Sequence, residues 1–121
     1  MLCDTDILID YLRNKDASVE YVEQHLDSIF VSAISIAELY QGVRDGEEQL
    51  VLDRFVSVFP VLPLTEEIAV KAGYFRRQFK KSHGTGLADC IIAATAQIHE
   101  LELKTLNLKH FPMFPEIIRP Y

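Results

Sequence analysis

The chain has 121 residues, a length that suits one hydrophobic core, and we predict a single domain over residues 1–121. Hydrophobic residues make up 49% and charged residues 25%, and no apolar run approaches the roughly 20 residues that a membrane span needs. The net charge of −6 argues against nucleic-acid binding by bulk basic charge. Any such role needs a local basic patch or bound cations.

The first half of the chain predicts alternating strands and helices. Residues 1–4 form a short apolar strand that ends in an acid, and apolar residues at helical spacing follow over residues 5–13. Asp16 suits the N-cap of a second helix. Residues 29–33 are β-branched and aromatic, which favours a second strand. A helix over residues 35–43 comes next.

The second half continues this alternation. A helix over residues 47–59 precedes a strand at 61–64, whose flanking prolines favour a sheet edge. A long helix over residues 65–81, a glycine-containing break and another helix follow. Strands are predicted at residues 102–106 and 116–119. This order predicts a three-layer α/β/α sandwich with a mainly parallel central sheet.

The helix that follows the glycine-containing break is unusual, because it is apolar on nearly every face. Leu87, Ile91 and Ala94 recur at helical spacing, and the residues between them are also small or apolar. Such a helix belongs in a core. Its one acid, Asp89, lies in the first turn. Buried carboxylates are rare unless they are paired, hydrogen-bonded or bound to metal, so Asp89 is a candidate functional residue.

Three other polar residues lie at the same end of their strand–helix units as Asp89. Asp4 ends the first strand, Glu38 lies in the first turn of the helix after the second, and Asn107 follows the fourth. Ligands of parallel sheets bind beyond the carboxyl ends of the strands, so we expect these side chains to converge. Three neighbouring carboxylates repel, and Mg²⁺ or Mn²⁺ relieves that repulsion. Such a metal generates hydroxide for attack on a phosphodiester.

The same residues also suit a purely structural role. Ser35 and Glu38 have the spacing of a capping box, and Asp4 suits the N-cap of the first helix. Asp89 complements a helix dipole from the first turn. The shared position of these acids favours the functional interpretation, and spacing alone leaves both open.

Four segments, in this order, resemble the motifs of PIN-domain proteins, and most closely those of VapC-type toxins of bacterial toxin–antitoxin pairs. The resemblance runs from Asp4 to about Phe111, nearly the whole chain. The four segments are DTDILID from residue 4, ISIAELYQG from residue 34, LADCIIAATA from residue 87 and TLNLKHF from residue 105.

This resemblance implies a Mg²⁺- or Mn²⁺-dependent endoribonuclease that hydrolyses RNA phosphodiesters with a metal-activated water. By position, Asp4, Glu38 and Asp89 match the metal-binding acids of the family. Asn107 matches a fourth catalytic position that is often Asp in the wider family and commonly Asn in the toxins. Because Asn107 carries no charge, we expect one tight metal in the protein alone. The resemblance also implies an RNA substrate, a cognate antitoxin and a homodimer.

Three further residues lie beside these motif positions. Asp6 stands where the family often has Asn or Ser, and it orients a metal-bound water or adds a charge rather than ligating the metal. We expect Thr105 to hydrogen-bond the metal-binding acids from behind. His110 is a candidate for contact with the substrate. Two cysteines, Cys3 and Cys90, form no Cys-x-x-Cys pattern and read as buried free thiols.

A basic cluster ends the long predicted helix. It either steers the RNA backbone or receives an acidic segment of an antitoxin, or it only complements the dipole at the helix C-terminus, and we favour the last interpretation. Its members are Arg76, Arg77, Lys80 and Lys81. The sequence shows no secretory signal and no membrane span, and free thiols fit a reducing compartment, so we expect a cytoplasmic protein.

Two other functions fit part of the sequence. An Asp-Thr-Asp triplet after an apolar strand is similar to the start of haloacid-dehalogenase phosphatases, with Asp4 as nucleophile and Asp6 as acid and base. Against this function, the chain is short and lacks a clear later Lys with paired acids. The second is a non-catalytic binding module whose acids only cap helices or whose cleft only docks a partner, and Asn107 and the net negative charge are compatible with it.

Overall fold

The computed structural model describes residues 1–79 and 85–121 of the chain. Short strands and helices follow one another much as the hydrophobic pattern predicts. The helices are α1 (Thr5–Leu12), α2 (Asp16–Gln24), α3 (Ala33–Gln41), α4 (Glu47–Val56), α5 (Glu66–Phe79) and α6 (Leu87–Ile98). The strands are β1 (Leu2–Cys3), β2 (Val31–Ser32), β3 (Val61–Leu62) and β4 (Leu103–Lys104).

The strands in the described residues form one parallel sheet. β1 pairs with β4, and β2 pairs with β3. A parallel bridge between Leu2 and Phe30 joins the two pairs. The Cys3 N–H donates to the Phe30 carbonyl at 3.1 Å, which extends that bridge. The spatial order is therefore β4, β1, β2, β3, and the residue that follows β1 stands at the middle of the carboxyl edge.

The two residues of β1 face opposite sides of the sheet and so separate the helices into two layers. Cys3 packs with Leu8 of α1 and Val22 of α2. Leu2 packs instead with Ile92 of α6, and α5 covers a further face of α6. These contacts confirm the predicted three-layer α/β/α sandwich with a mainly parallel central sheet.

Helix α6 is enclosed between the sheet and α5, as its apolar sequence predicts. Ala93, Ala94 and Ala96 are 0% exposed, and their small side chains let both neighbours approach closely. Cys3 and Cys90 are both buried and free, as predicted. Burial raises the pKa of Cys3 to about 12, so its thiol stays protonated and inert at neutral pH.

Helix α3 begins earlier than the sequence pattern predicts. Its N-cap is Ser32, whose hydroxyl accepts the Ile34 N–H at 3.2 Å. The predicted capping box of Ser35 and Glu38 is therefore wrong, because Ser35 is buried within the helix and Glu38 lies in its second turn. The physical reason is that β2 runs directly into α3 without a loop, which makes the last residue of the strand the cap.

Other predicted boundaries also shift. The predicted strand at residues 116–119 is wrong, since that segment is irregular. Pro115 and Pro120 flank it, and each lacks the backbone N–H that a strand ladder uses. Helix α5 extends to Phe79, and the predicted continuation through Lys80 and Lys81, with the start of the glycine-containing break, lies outside the described residues.

Two helices near the surface differ slightly in length from the prediction. α2 includes Asp16 as its first residue and has Lys15 as its N-cap. α4 ends at Val56, and Phe59 turns from the following segment into the core. Among residues 1–79 and 85–121, every helix is too short or too polar to span a bilayer.

Candidate active site

Asp4 lies at the centre of the carboxyl edge, and each of its two carboxylate oxygens accepts a hydrogen bond from the protein. Its Oδ1 accepts the Thr5 N–H at 2.8 Å, which caps α1. Its Oδ2 accepts the Thr105 hydroxyl at 2.7 Å. Burial, reinforced by the charge of Asp6, raises the pKa of Asp4 to about 7. Asp4 is thus both the N-cap of α1 and a carboxyl group whose pKa lies near neutral pH.

Asp6 is held on both of its oxygens by the protein. Its Oδ1 accepts the Ile7 N–H at 2.8 Å, and its Oδ2 accepts the Leu106 N–H at 2.9 Å. Burial raises the pKa of Asp6, while these hydrogen bonds oppose the rise. The carboxylate therefore ties the start of α1 to the segment after β4. It stands beside Asp4 with its hydrogen-bonding capacity largely used.

Thr105 joins the two aspartates. Its side chain is 0% exposed, and its hydroxyl lies 2.7 Å from Asp4 Oδ2 and 3.3 Å from Asp6 Oδ2. The same oxygen accepts the Asn107 N–H at 3.1 Å. Asn107 itself is exposed beside this network. The threonine hydroxyl therefore links the two aspartates to the backbone that carries Asn107.

Glu38 reaches the site from the second turn of α3. Its Oε1 accepts the Thr5 hydroxyl at 2.7 Å, and Thr5 directly follows Asp4. Glu38 is half-buried. One residue, Thr5, therefore contacts both acids, through its backbone N–H on one side and its hydroxyl on the other.

Asp89 lies in the first turn of α6, where the sequence places it. Its Oδ2 accepts the Gly86 N–H at 3.1 Å and lies 3.6 Å from His110 Nδ1. The Thr85 hydroxyl donates to the His110 carbonyl at 3.0 Å, which holds that residue against the start of α6. The charge of Asp89 also contributes to the raised pKa of Asp4, after burial and Asp6. The negative charge of Asp89 is therefore near enough to Asp4 to disfavour its ionised form.

The structure brings the predicted residues to one edge of the sheet and leaves oxygen donors open there. Within residues 1–79 and 85–121, Glu38 Oε2 and Asp89 Oδ1 accept no hydrogen bond. Carboxylate oxygens are the donors that hard divalent cations prefer, so the donor chemistry fits such a cation. In the same described residues, no three Asp, Glu, His or Cys side chains form a closed set of metal ligands as they stand.

Two residues at this site, Thr5 and Ser35, were not identified from the sequence. Thr5 contacts Glu38, and the Ser35 hydroxyl lies 2.8 Å from the Thr5 hydroxyl. The available signals were weak: Thr5 adjoins the first acid, and Ser35 lies three residues before Glu38 on one helix face. Because Ser35 was interpreted as a helix cap, its position on the same helix face as Glu38 was not recognised as a sign of contact.

The two described members of the basic cluster, Arg76 and Arg77, lie in different surroundings. The Arg77 guanidinium lies over the Tyr74 ring, 4.9 Å from its centre. In residues 1–79 and 85–121, Arg76 has a buried Nη1 without a hydrogen-bond partner. Lys80 and Lys81 lie outside the described residues.

A family model and two curated relatives match this chain over most or all of its length. The family model described as PIN domain matches residues 1–111. Ribonuclease VapC10 of Mycobacterium tuberculosis is 41% identical, over 100% of this chain and 92% of the relative. Ribonuclease VapC19 of the same organism is 36% identical, over 99% of this chain and 98% of the relative.

Solved structures agree with the sequence matches. A toxin–antitoxin complex from Klebsiella pneumoniae contains a chain with a TM-score of 0.79 and 31% identity, covering 99% of this chain and 97% of that one. A DNA-bound VapBC structure from Salmonella typhimurium gives a TM-score of 0.80 at 26% identity, covering 96% and 92%. The fold, the order of the acids along it and these matches show that the chain belongs to the PIN-domain family.

Proposed function

We propose that this protein is a metal-dependent endoribonuclease and the toxin of a toxin–antitoxin pair. One observation supports the proposal above all: Asp4, Glu38 and Asp89 are supplied by three separate helices, Thr5 contacts both Asp4 and Glu38, and the charge of Asp89 acts on Asp4. The relatives named Ribonuclease VapC, at 41% and 36% identity over nearly the whole chain, support the same activity. The match to the PIN domain over residues 1–111 does not favour a haloacid-dehalogenase phosphatase or a non-catalytic module.

In this proposal, Asp4, Glu38 and Asp89 would hold one Mg²⁺, for which Mn²⁺ could substitute. When bound, the cation would supply Lewis-acid chemistry, activating water and offsetting the negative charge of the phosphodiester. Asp4 and Asp89 hold their orientation through Thr105 and Gly86. Asn107 is the fourth catalytic residue, placed to contact the substrate from the exposed side.

The residues around these acids have distinct parts in the proposal. Asp6 uses its oxygens on backbone N–H groups and adds negative charge beside Asp4. Thr105 shares its hydroxyl between the two aspartates. His110, 3.6 Å from Asp89, offers an imidazole to the RNA phosphate on the substrate side.

The partners in the proposal are RNA, a cognate antitoxin and a second copy of this chain. The Klebsiella pneumoniae neighbour is a toxin–antitoxin complex, and the Salmonella typhimurium neighbour is a VapBC structure bound to DNA, which supports an antitoxin for this protein. We propose that the protein acts in the cytoplasm, as one domain over residues 1–121. The proposal of a homodimer and of an RNA substrate rests on the family resemblance.

The proposal is tested by cleavage of a structured RNA with purified protein and Mg²⁺ or Mn²⁺. Asp4→Asn and Asp89→Asn should each abolish cutting, because each removes a charged ligand while keeping its shape. Asp27→Asn is the matched control, since Asp27 is an exposed acid in a short turn before β2. Cutting that persists in chelator, or in both site variants, contradicts the proposal.

A further inference from the structure

We propose that Thr5 and Ser35 form a hydroxyl relay that holds Glu38 in position to bind the cation, which makes Thr5 a positioning residue of the active site. The inference rests on the proposed function and adds two residues to it. Neither contacts the metal or the RNA in this proposal. Both act through the rotamer of Glu38.

The geometry of the relay is short and buried. The Thr5 hydroxyl lies 2.7 Å from Glu38 Oε1 and 2.8 Å from the Ser35 hydroxyl. Thr5 is 5% exposed and Ser35 is 0% exposed, so water competes weakly for these contacts. The Thr5 N–H also donates to Asp4 Oδ1 at 2.8 Å. The position of Glu38 is thereby set relative to Asp4 by one intervening residue.

The direction of the hydrogen bonds follows from counting protons. A threonine hydroxyl has one proton to donate, and an ionised carboxylate only accepts. Hydrogen bonds to a charged group are the stronger ones, so Thr5 gives its proton to Glu38. Ser35 must then donate to the Thr5 oxygen. Each bond polarises the next, and the chain Ser35 to Thr5 to Glu38 is stronger than its members alone.

Glu38 needs such a restraint because its side chain is long and half-exposed. It also lines an open groove between α1, α3 and α4 that contains Arg13. Without the Thr5 hydroxyl, the Glu38 carboxylate is free to turn away from the site, toward that groove and the guanidinium of Arg13. Fixing a glutamate rotamer costs conformational entropy. Because the relay already fixes the Glu38 rotamer in the metal-free protein, metal binding does not have to bear this cost.

The test is Mn²⁺ affinity, measured by calorimetry on the full chain. Thr5→Val keeps the shape of the side chain and removes the hydroxyl, and we expect a loss of about 10- to 100-fold, typical of residues that orient metal ligands. Thr5→Ser should restore most of the affinity, because it returns the hydroxyl. Ser35→Ala should cause a smaller loss, since Thr5 keeps its own proton for Glu38.

A matched control is available in α6. Thr95 is 1% exposed and its hydroxyl donates to the Ile91 carbonyl at 2.7 Å, so Thr95→Val removes a buried hydroxyl that touches no acid. This variant should bind Mn²⁺ as the unsubstituted chain does. Circular dichroism and melting temperature establish that each variant is folded. If Thr5→Val is unfolded, the comparison of Ser35→Ala with Thr95→Val decides.

A double substitution separates positioning from general damage. In a Glu38→Gln background, Thr5→Val should cause little further loss of affinity, because the residue through which Thr5 acts is already neutral. Losses that add fully, or a Thr5→Ser variant as weak as Thr5→Val, overturn the relay. So does a Thr5→Val protein that binds Mn²⁺ like Thr95→Val. An unsubstituted chain that neither binds Mn²⁺ nor cuts RNA overturns the proposed function as well.

Discussion

At the scale of single residues, the proposed site is built from groups that also stabilise the fold. Asp4 caps α1 and presents a carboxylate at the centre of the sheet edge. Asp89 accepts the Gly86 N–H at the start of α6, and its charge contributes to the raised pKa of Asp4. A helix start is a suitable place for such an acid, because unpaired N–H groups there stabilise negative charge. The structural and functional interpretations of these acids are therefore compatible.

The raised pKa of Asp4 has a consequence for stability without metal. Burial and Asp6 raise this pKa from 3.8 to about 7, so between these values the folded chain holds a proton that the unfolded chain releases. Stability therefore falls as pH rises from about 4 to about 7, by at most about 4 kcal/mol. Asp4→Asn keeps the cap and removes the ionisation, so its stability should vary less with pH.

Urea unfolding in chelator at pH 5 and pH 8 measures this difference. We expect the unsubstituted chain to lose more stability across that interval than Asp4→Asn does. Asp27→Asn should follow the unsubstituted chain, because Asp27 is exposed. Equal slopes for all three proteins contradict the assignment of the effect to Asp4.

At the scale of elements, α6 does most to place the site. It lies between the sheet and α5, and this enclosure brings Asp89 to the same edge as the residues that follow β1 and β4. Alanines on the buried faces set the distance between these layers. A helix with larger side chains there would push the sheet and α5 apart, and with them the acids.

This packing predicts the effect of enlarging one alanine. Ala93 is 0% exposed and packs in the cluster that contains Leu2, so Ala93→Leu should destabilise the chain by about 1–3 kcal/mol through overpacking. Urea unfolding measures the loss. Gln97→Leu, at an exposed position of the same helix, should change stability by less than about 0.5 kcal/mol. Equal losses in both variants contradict the packing argument.

At the scale of the whole molecule, an acidic chain is proposed to bind a polyanion. With a net charge of −6, the protein repels RNA at long range, and the three acids intensify that repulsion at the site. A bound divalent cation offsets two of the negative charges at the site and so weakens that repulsion. Cation binding and folding are therefore coupled, because a ligand that binds only the folded state stabilises it.

This coupling predicts that Mn²⁺ raises the melting temperature. At a free concentration 100 times the dissociation constant, the added stability is about 2.7 kcal/mol. Asp89→Asn should lose most of this increase, and Asp27→Asn should keep it. A melting temperature that does not respond to Mn²⁺, measured by differential scanning calorimetry, contradicts binding of the metal to the folded chain.

Much of the architecture followed from the sequence by itself. Hydrophobic periodicity and β-branched runs are local properties, so they indicated the helices, four of the strands and the buried α6 with its single acid. Four motifs in order indicated the PIN-domain family and placed Asp4, Glu38 and Asp89 in it. The local sequence pattern gave wrong boundaries where adjoining segments determine the structure. Ser32 caps α3 because β2 runs directly into that helix. Residues 116–119 form no strand because they lie between two prolines.

Only the tertiary structure decided how the acids are held. Thr105 and Asp4 are 101 positions apart, and Thr5 and Ser35 are 30 apart, yet each pair shares a hydrogen bond shorter than 3 Å. No local pattern carries that information, because such contacts arise only when parallel strands align the starts of separate helices at one edge. The sequence named the charged groups, and the three-dimensional packing supplied the hydroxyls that orient them.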